Sequence, residues 1–200
     1  MRSNKSPRPN GTKPAKTNRP AAQPRTAASL PWKLLSASSQ QTERVGHALG
    51  RTLRGGETIA LYGPLGAGKT ALVRGLAHGL GAAPGAVTSP TFVVIHEYHG
   101  RLPLAHMDWY RITSLRELES TGVIEYFSGQ TVTAIEWADK GLALLPPDRI
   151  DITLSHRGKQ SRTIHVHATG PLSKSVLART RHAHRTIVRR GSNPKGVPRS

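Results

Sequence analysis

The sequence contains no cysteine among its 200 residues. Disulfide bonds, metal sites built from thiolates and cysteine nucleophiles are therefore all excluded. Long apolar segments are missing too, because no run approaches the roughly 18 residues that a membrane-spanning helix needs. The N-terminal region also lacks the apolar segment of a secretory signal peptide. These absences predict a soluble intracellular protein, located in the cytoplasm and without a membrane partner.

Acidic residues are missing from both ends of the chain, which explains most of its formal net charge of +18. Residues 1–31 contain seven Lys or Arg and residues 171–200 contain eight, with no Asp or Glu in either segment. The remaining fourteen basic residues share residues 32–170 with all eleven acidic ones, so that segment carries only +3. The composition predicts one domain over 32–170 between two basic tails.

The two tails are predicted to be largely disordered. Residues 1–31 have few large apolar side chains, and their six prolines oppose the amphipathic helix of an organellar targeting peptide, which is the alternative interpretation. Residues 171–200 are predicted to be mostly disordered, although four aliphatic residues would allow part of the segment to turn helical. Each tail either is a solvated segment or binds nucleic-acid phosphates in a salt-sensitive, sequence-blind manner.

One segment carries a complete phosphate-binding motif, Gly63-Pro64-Leu65-Gly66-Ala67-Gly68-Lys69-Thr70. It follows an apolar strand pattern and precedes a helical pattern, which is the context in which this motif binds phosphates. The glycines let main-chain N–H groups surround a polyphosphate, and the helix directs its positive dipole end at the same anion. Lys69 supplies a charge for the outer phosphates, and the Thr70 hydroxyl suits magnesium. The motif predicts a nucleoside triphosphate site with Mg²⁺.

The order of the predicted elements defines the fold class. A capping box at Ser38-x-x-Gln41 opens a first helix whose apolar stripe continues to Leu53. A second helix runs from Lys69 to a stop at Gly81. Strands are predicted at 57–62, 91–98, 103–108, 131–135, 149–155 and 161–168. Because strands and helices do not alternate strictly, we expect an α/β fold, a P-loop NTPase-like three-layer sandwich with a mixed, partly antiparallel sheet.

Two carboxylates follow apolar strands and are candidates to complete the site. Asp108 ends the strand at 103–108 and Glu136 follows the strand at 131–135, so both are expected at the carboxyl edge of the sheet, where open α/β sheets bind ligands. The alternative is that one of them only caps a strand or pairs with Arg111. The hydroxyl-bearing residues Ser89 and Thr91 could sense a terminal phosphate, as switch loops do.

Four blocks of the chain occur in a characteristic order: Tyr62–Thr70, Ser89-Pro90-Thr91-Phe92, His106-x-Asp108-x-Tyr110-Arg111 and Ile135-Glu136-Trp137. Over about residues 32–168 the chain resembles the TsaE (YjeE) family, the small ATPase of the tRNA threonylcarbamoyladenosine modification system. The resemblance implies an ATPase that works with the TsaB–TsaD complex, which installs threonylcarbamoyl on adenosine 37 of tRNAs that read codons beginning with A. In that scheme TsaD performs the transfer, and ATP hydrolysis by TsaE resets the complex between turnovers.

The resemblance also implies roles for the residues of the phosphate loop and the strand ends. Thr70 and Glu136 would hold Mg²⁺, while Lys69 and the loop amides would hold the phosphates of ATP. Asp108 would act near the γ-phosphate, where it orients water or the shell of the metal.

Further roles that the resemblance implies lie outside the loop. Ser89 and Thr91 would form a switch-like loop, Trp137 would flank the nucleotide, and Ser39 would approach the adenosine. Trp109 stands where the family usually has leucine, and we expect it to alter a surface that faces a partner.

Two other functions are weighed against the ATPase. A small-molecule kinase would need an arginine-bearing lid, and no arginine cluster follows the phosphate-loop helix to supply one. A nucleotide-sensing RNA-binding protein would bind nucleotide without hydrolysing it. ATP is preferred to GTP because the chain lacks the Asn-Lys-x-Asp block that reads guanine, and Ala138-Asp139-Lys140 does not replace it.

Overall fold

The structure is a computed structural model that describes residues 31–83, 87 and 94–191. Side chains are described as far as Thr186. The strands are β1 (Trp32–Ser36), β2 (Thr58–Tyr62), β3 (Ile95–Tyr98), β4 (Leu104–Asp108), β5 (Val132–Glu136), β6 (Ile150–His156) and β7 (Arg162–Ala168). The α-helices are α1 (Ser39–Gly50), α2 (Lys69–Gly79), α3 (Leu115–Ser120) and α4 (Pro171–Gly191), and two 3₁₀ segments span Val123–Phe127 and Ala138–Leu144.

The strands form one sheet in the order β1-β7-β6-β2-β5-β4-β3. Its centre is parallel, because β2 pairs in parallel with β5 and β6, and β5 with β4. Its edges are antiparallel, with β7 between β1 and β6 on one side and β3 beside β4 on the other. The mixed, partly antiparallel sheet is therefore confirmed. β1 was not predicted as a strand, because the exposed Leu35 on its outer face breaks the alternation that marks one.

Helices cover both faces of the sheet. The alternation of β2 sends Ile59 and Leu61 into a core shared with α1, α2 and α4, and sends Ala60 into a second core with Leu118 of α3. The two cores lie on opposite faces of the same strands. The predicted three-layer α/β sandwich is confirmed.

The α1 and α2 backbones touch each other through glycines. A Cβ on Gly46 would lie 2.0 Å from the carbonyl oxygen of Leu72, and one on Gly75 would lie 1.9 Å from that of Glu43. These glycines are required because the helices approach too closely for any side chain. The close packing holds α2, and with it the end of the phosphate loop, against α1.

α1 ends earlier than its apolar stripe indicated. The helix stops at Gly50, and the Thr52 hydroxyl donates a hydrogen bond to the carbonyl oxygen of Leu49 at 2.8 Å. Leu53 is still buried, so the chain turns while its side chain stays in the core. Periodicity alone could not distinguish this turn from a further turn of helix.

The prediction that residues 171–200 are mostly disordered is wrong for 171–191, which form α4. Val176 and Leu177 are buried in the same core as α1 and α2. Asp148 binds the start of α4, since its two carboxylate oxygens accept hydrogen bonds from the backbone N–H groups of Leu172 and Ser173 at 2.8 and 2.9 Å. None of the described helices is both long and apolar enough to cross a membrane.

Replacing Gly75 with alanine tests the contact between α1 and α2. Intrinsic helix propensity favours alanine over glycine by about 1 kcal/mol. The Cβ would collide with the backbone of Glu43, so the helices would have to separate. We expect a net loss of about 1–3 kcal/mol in the free energy of unfolding, measured by urea denaturation. Gln40→Ala, at an exposed position of α1, should change it by less than about 0.5 kcal/mol, and a stabilised Gly75→Ala protein would contradict the close packing.

Candidate functional site

The phosphate loop joins β2 to α2 at the carboxyl edge of the sheet. Gly63 has φ 132°, and a Cβ there would lie 2.1 Å from the carbonyl oxygen of Leu154 in β6. Gly68 precedes α2 with φ 103°, and the N–H of Ala67 donates to the carbonyl oxygen of Pro64 at 3.2 Å, which holds the loop in a turn. Only glycine adopts these backbone angles without strain. The loop is therefore fixed at the point where α2 presents its free N–H groups.

Lys69 is buried inside the loop. Its Nζ donates hydrogen bonds to the carbonyl oxygens of Gly63 at 2.7 Å and Pro64 at 3.0 Å, and lies 3.7 Å from the centre of the Trp137 ring. Burial lowers the pKa of Lys69, although the negative charges of Glu136 and nearby aspartates oppose this. The ammonium group is thus held at the inner wall of the loop by contacts that a phosphate could replace.

Glu136, at the end of β5, connects α2 to β4. Its Oε2 accepts a hydrogen bond from the Thr70 hydroxyl at 3.1 Å, and its Oε1 is 2.9 Å from Nε2 of His106. The residue is only 3% exposed. The structure therefore brings Thr70 and Glu136 together, as the sequence predicted.

Asp108 lies directly beside Glu136. The two residues are partners in the parallel pairing of β4 with β5. Burial raises the pKa of Asp108, and the charge of Glu136 adds to this, while a hydrogen bond from the backbone N–H of Tyr110 at 2.9 Å opposes it. Asp108 thus caps the end of its strand, as the alternative proposed, and also places a carboxylate next to Glu136.

Trp137 has an unusual backbone conformation. Its φ of 58° makes it the single non-glycine residue with positive φ in the described part of the chain. Its ring stands over Lys69 and contacts the ring of Tyr110, with centres 4.8 Å apart. Such a conformation costs of order 1–3 kcal/mol and is found mainly at functional sites. Here it turns the indole toward the phosphate loop.

Three predicted site residues remain, namely Ser39, Ser89 and Thr91. Ser39 is the exposed first residue of α1, whereas Thr42, one turn further on, has its methyl carbon 3.7 Å from where a Cβ of Gly68 would lie. Ser89 and Thr91 lie outside the described residues.

Trp109 is buried, so the expectation that it alters a partner-facing surface is wrong. It follows Asp108 by one residue and packs in the core on the α3 side of the sheet, with 0% exposure. A Cβ on Gly141 would lie 2.7 Å from its ring. The Trp109 ring therefore occupies space that Gly141 leaves free.

Two residues near the site were missed by the sequence reasoning. His106 shares a strand face with Asp108 because the two are two residues apart, and this alternation was the available signal. Arg162 begins β7, donates from Nη1 to the Thr42 hydroxyl at 3.2 Å, and has its Nε 3.4 Å from where a Cβ of Gly68 would lie. No spacing relates Arg162 to the loop, so only the fold reveals it.

A glycine-rich loop between a parallel strand and a helix, with two carboxylates at the ends of the adjacent strands, defines a P-loop protein with a nucleotide-binding fold. Comparison with solved structures agrees with this class. The crystal structure titled Bacillus subtilus YdiB superposes with a TM-score of 0.64 and 31% identity, and covers 76% of this chain and 95% of that one.

The chain belongs to the TsaE family. The family model for threonylcarbamoyl adenosine biosynthesis protein TsaE matches residues 36–164. A protein from Treponema pallidum with the name tRNA threonylcarbamoyladenosine biosynthesis protein TsaE is 42% identical over 134 residues, which are 67% of this chain and 98% of that protein. A Bacillus subtilis protein of the same name is 39% identical over 142 residues, covering 70% and 87% of the two chains. The resemblance drawn from the four blocks is confirmed, and α4 begins beyond the residues that the family model matches.

His106→Leu tests the contact between β4 and β5. Leucine is similar in size to histidine but cannot donate a hydrogen bond to the buried Glu136 carboxylate, and a hydrogen bond to a charged group contributes about 1.5–3 kcal/mol. We expect the free energy of unfolding at neutral pH to fall by about that amount, measured by chemical denaturation. The control is His165→Leu at an exposed position of β7, which should change it by less than about 0.5 kcal/mol. Equal effects in the two variants would rule out a special role for His106.

Proposed function

We propose that the chain is a Mg²⁺-dependent ATPase that acts in tRNA threonylcarbamoyladenosine biosynthesis in the cytoplasm, together with a TsaB–TsaD-type complex. Family membership and the names of the relatives support the pathway. The observation that carries the ATPase proposal is the 3.1 Å contact between Thr70 and Glu136, with Asp108 on the next strand. A loop that only bound phosphate would not need this paired acidic edge.

The donor set fits magnesium. Mg²⁺ prefers hard oxygen ligands and is usually held by one or two carboxylates together with phosphate oxygens. Thr70 and Glu136 would supply a hydroxyl and a carboxylate oxygen, which already lie within hydrogen-bonding distance of each other. Bound there, the ion would neutralise charge on the outer phosphates of ATP.

The remaining residues bind and orient. Lys69 would exchange the carbonyl oxygens of Gly63 and Pro64 for phosphate oxygens, which are stronger acceptors because they are charged. The Trp137 ring beside Lys69 would exclude water from one side of the phosphates. The Arg162 guanidinium beside Gly68 would add positive charge on the other side of the loop.

Asp108 is the candidate for orienting the attacking water. Because its pKa is raised by burial, its carboxylate is a better proton acceptor than an exposed aspartate. Its position beside Glu136 allows it to act either on water or on the shell of the metal. Hydrolysis would then reset the partner complex, which performs the transfer itself.

Exposed apolar side chains at the rim of the site support the proposal that a protein partner binds there. Leu65, at the tip of the phosphate loop, is 75% exposed, and Tyr110 is 49% exposed beside Trp137. Large apolar side chains at the entrance of a polar site favour burial by another protein. Activation by a partner complex would follow if its binding covers this rim.

Lys69→Ala should weaken ATP binding by about 1.5–3 kcal/mol, because a charge-assisted hydrogen bond to phosphate is lost. Isothermal titration calorimetry with ATP and Mg²⁺ measures the change. Lys159→Ala removes the same charge from an exposed residue and should leave the affinity unchanged. If wild-type protein shows no heat of binding, the nucleotide site itself is disproved.

Glu136→Gln should lower turnover by about 100-fold or more while ATP binding falls much less, because the carboxylate charge near the reacting phosphate is lost. The assay is multiple-turnover phosphate release and tRNA modification with the partner complex present. Near-normal hydrolysis would remove Glu136 from the site. Formation of a phosphorylated metabolite would indicate the kinase instead, and binding without hydrolysis by wild-type protein would indicate the nucleotide sensor.

A further inference from the structure

The C-terminal part of the sequence is rich in basic residues and includes one described helix, α4. From residue 152 onward the chain contains eleven Lys or Arg and no Asp or Glu. α4 lies within this stretch and places His182 and Arg185 on its exposed side. Asp148, the acid that binds the start of α4, uses both carboxylate oxygens to accept backbone hydrogen bonds. The exposed side of α4 therefore carries Arg185 and no acidic side chain along its described length.

The turn after α1 adds two more arginines to this side. The Arg179 guanidinium donates from Nε at 3.3 Å and from Nη2 at 3.1 Å to the carbonyl oxygen of Thr52, and the Thr52 and Thr180 hydroxyls are 2.7 Å apart. These contacts tie the turn at 51–54 to the middle of α4. Arg51 and Arg54 are exposed on either side of Thr52. We refer to Arg51, Arg54, Arg179, His182 and Arg185 as the α4 basic surface.

A cleft opens beside Arg51, between the C-terminal ends of α1 and α2. Its volume is about 420 Å³, which is ample for a phosphodiester group, and no acidic residue lines it. Its polar side chains are those of His47, Arg51, His78 and Arg101. Burial lowers the pKa of His47, and so do the neighbouring His78 and Arg51. The Arg101 guanidinium donates to the carbonyl oxygens of Gly50 at 2.6 Å and Leu53 at 2.9 Å, whereas Arg51 is shared between this cleft and the α4 basic surface. Arg51 therefore makes the cleft continuous with that surface.

The acidic residue nearest in sequence to the turn does not neutralise it. Glu57 is buried, and its two carboxylate oxygens accept hydrogen bonds from the backbone N–H groups of Arg54 and Gly55, both at 2.8 Å. Its charge thus stabilises the turn from the inside, while the arginine side chains face outward.

The two acid-free ends of the chain start from neighbouring points. The ring of Trp32 in β1 makes an edge-on contact with the ring of His184 in α4, with centres 5.2 Å apart. Residues 1–31 precede this tryptophan and carry seven basic residues, and the basic residues from 187 to 200 follow shortly after this histidine. The attachment points of both segments therefore border the α4 basic surface.

We propose that the α4 basic surface and its adjoining cleft bind the phosphate backbone of RNA; the choice of RNA as the polyanion rests on the proposed function in tRNA modification. A row of arginines without acidic neighbours is suited to a polyanion. Val176 and Leu177 on the apolar side of α4 are already buried, and Leu172 is the one exposed large apolar side chain among the described residues of the helix, which is too little to insert into a lipid surface. Contacts between arginine and phosphate do not read the bases, so the binding is sequence-blind.

Charge substitution, not truncation, is the correct test. Deleting residues from 171 onward would remove the helix that buries Val176 and Leu177, and would expose the core. Arg179 is unsuitable as well, because it holds the turn through Thr52. The variant therefore changes three exposed side chains and keeps the full chain: Arg51→Gln, Arg54→Gln and Arg185→Gln.

The matched control removes three positive charges from exposed positions elsewhere on the domain, through Arg116→Gln, Arg157→Gln and Lys159→Gln. Both triple variants should keep the urea midpoint of the wild-type protein, because none of the six side chains is buried. Binding is measured by fluorescence anisotropy with an unmodified tRNA transcript, without nucleotide, over about 50–200 mM salt.

We expect the surface variant to bind tRNA about tenfold or more weakly, and the slope of log affinity against log salt to fall by roughly 2–3, one unit for each lost phosphate contact. The control should change the slope by less than about one unit. Lys69→Ala should bind tRNA like wild type, which separates this inference from the ATPase proposal.

The inference is overturned if the surface variant and the control bind tRNA alike. It is also overturned if Lys69→Ala abolishes tRNA binding, because the RNA would then occupy the phosphate loop. A surface variant that keeps tRNA binding but loses binding to vesicles containing phosphatidylserine would assign the surface to lipid instead.

Discussion

The structure of the site depends on one buried carboxylate. Removing a carboxylate from water costs several kcal/mol unless its oxygens find partners. Glu136 meets this requirement with one partner on each side, Thr70 at the start of α2 and His106 in the middle of β4. Those partners fix three elements relative to one another. Any shift of α2 or β4 along β5 would leave a buried charge without a hydrogen bond, so the register of the site and the stability of the domain are set together.

Backbone contacts carry that register from the sheet to the phosphate loop. Leu61 is the partner of Glu136 in the parallel pairing of β2 with β5, so the carboxylate is level with the end of β2, where the loop begins. Gly63 then lies against the backbone of β6, and Gly75 lies against the backbone of α1. Both approaches exclude a side chain. The loop is thus held on either side by backbone atoms, which cannot rotate away as a side chain could. A site that is formed before its ligand binds requires this rigidity.

The sequence could predict those parts of the site that depend on local rules. Strand ends and the loop motif located Asp108 and Glu136, because parallel strands bring their carboxyl ends to one edge. Arg162 could not be found, since its approach to Gly68 depends on the antiparallel pairing of β7 with β6 and on the position of β6 beside β2. The prediction of disorder for residues 171–191 is wrong for a related reason. Net charge and proline content are averages over a whole segment. α4 is instead held in place by one buried side of the helix, through Val176 and Leu177, which such averages do not reveal.

The loop and the α4 basic surface differ in their acidic residues. At the carboxyl edge, Asp108 and Glu136 lie close to Lys69, so negative charge there offsets part of the positive charge of the loop. Along α4, by contrast, the sequence places no acidic residue among the arginines. The proposed RNA would therefore favour α4, and the loop would remain open to the proposed triphosphate and its metal ion. With the two proposed sites separated in this way, one small domain would be able to bind both ligands without competition between them.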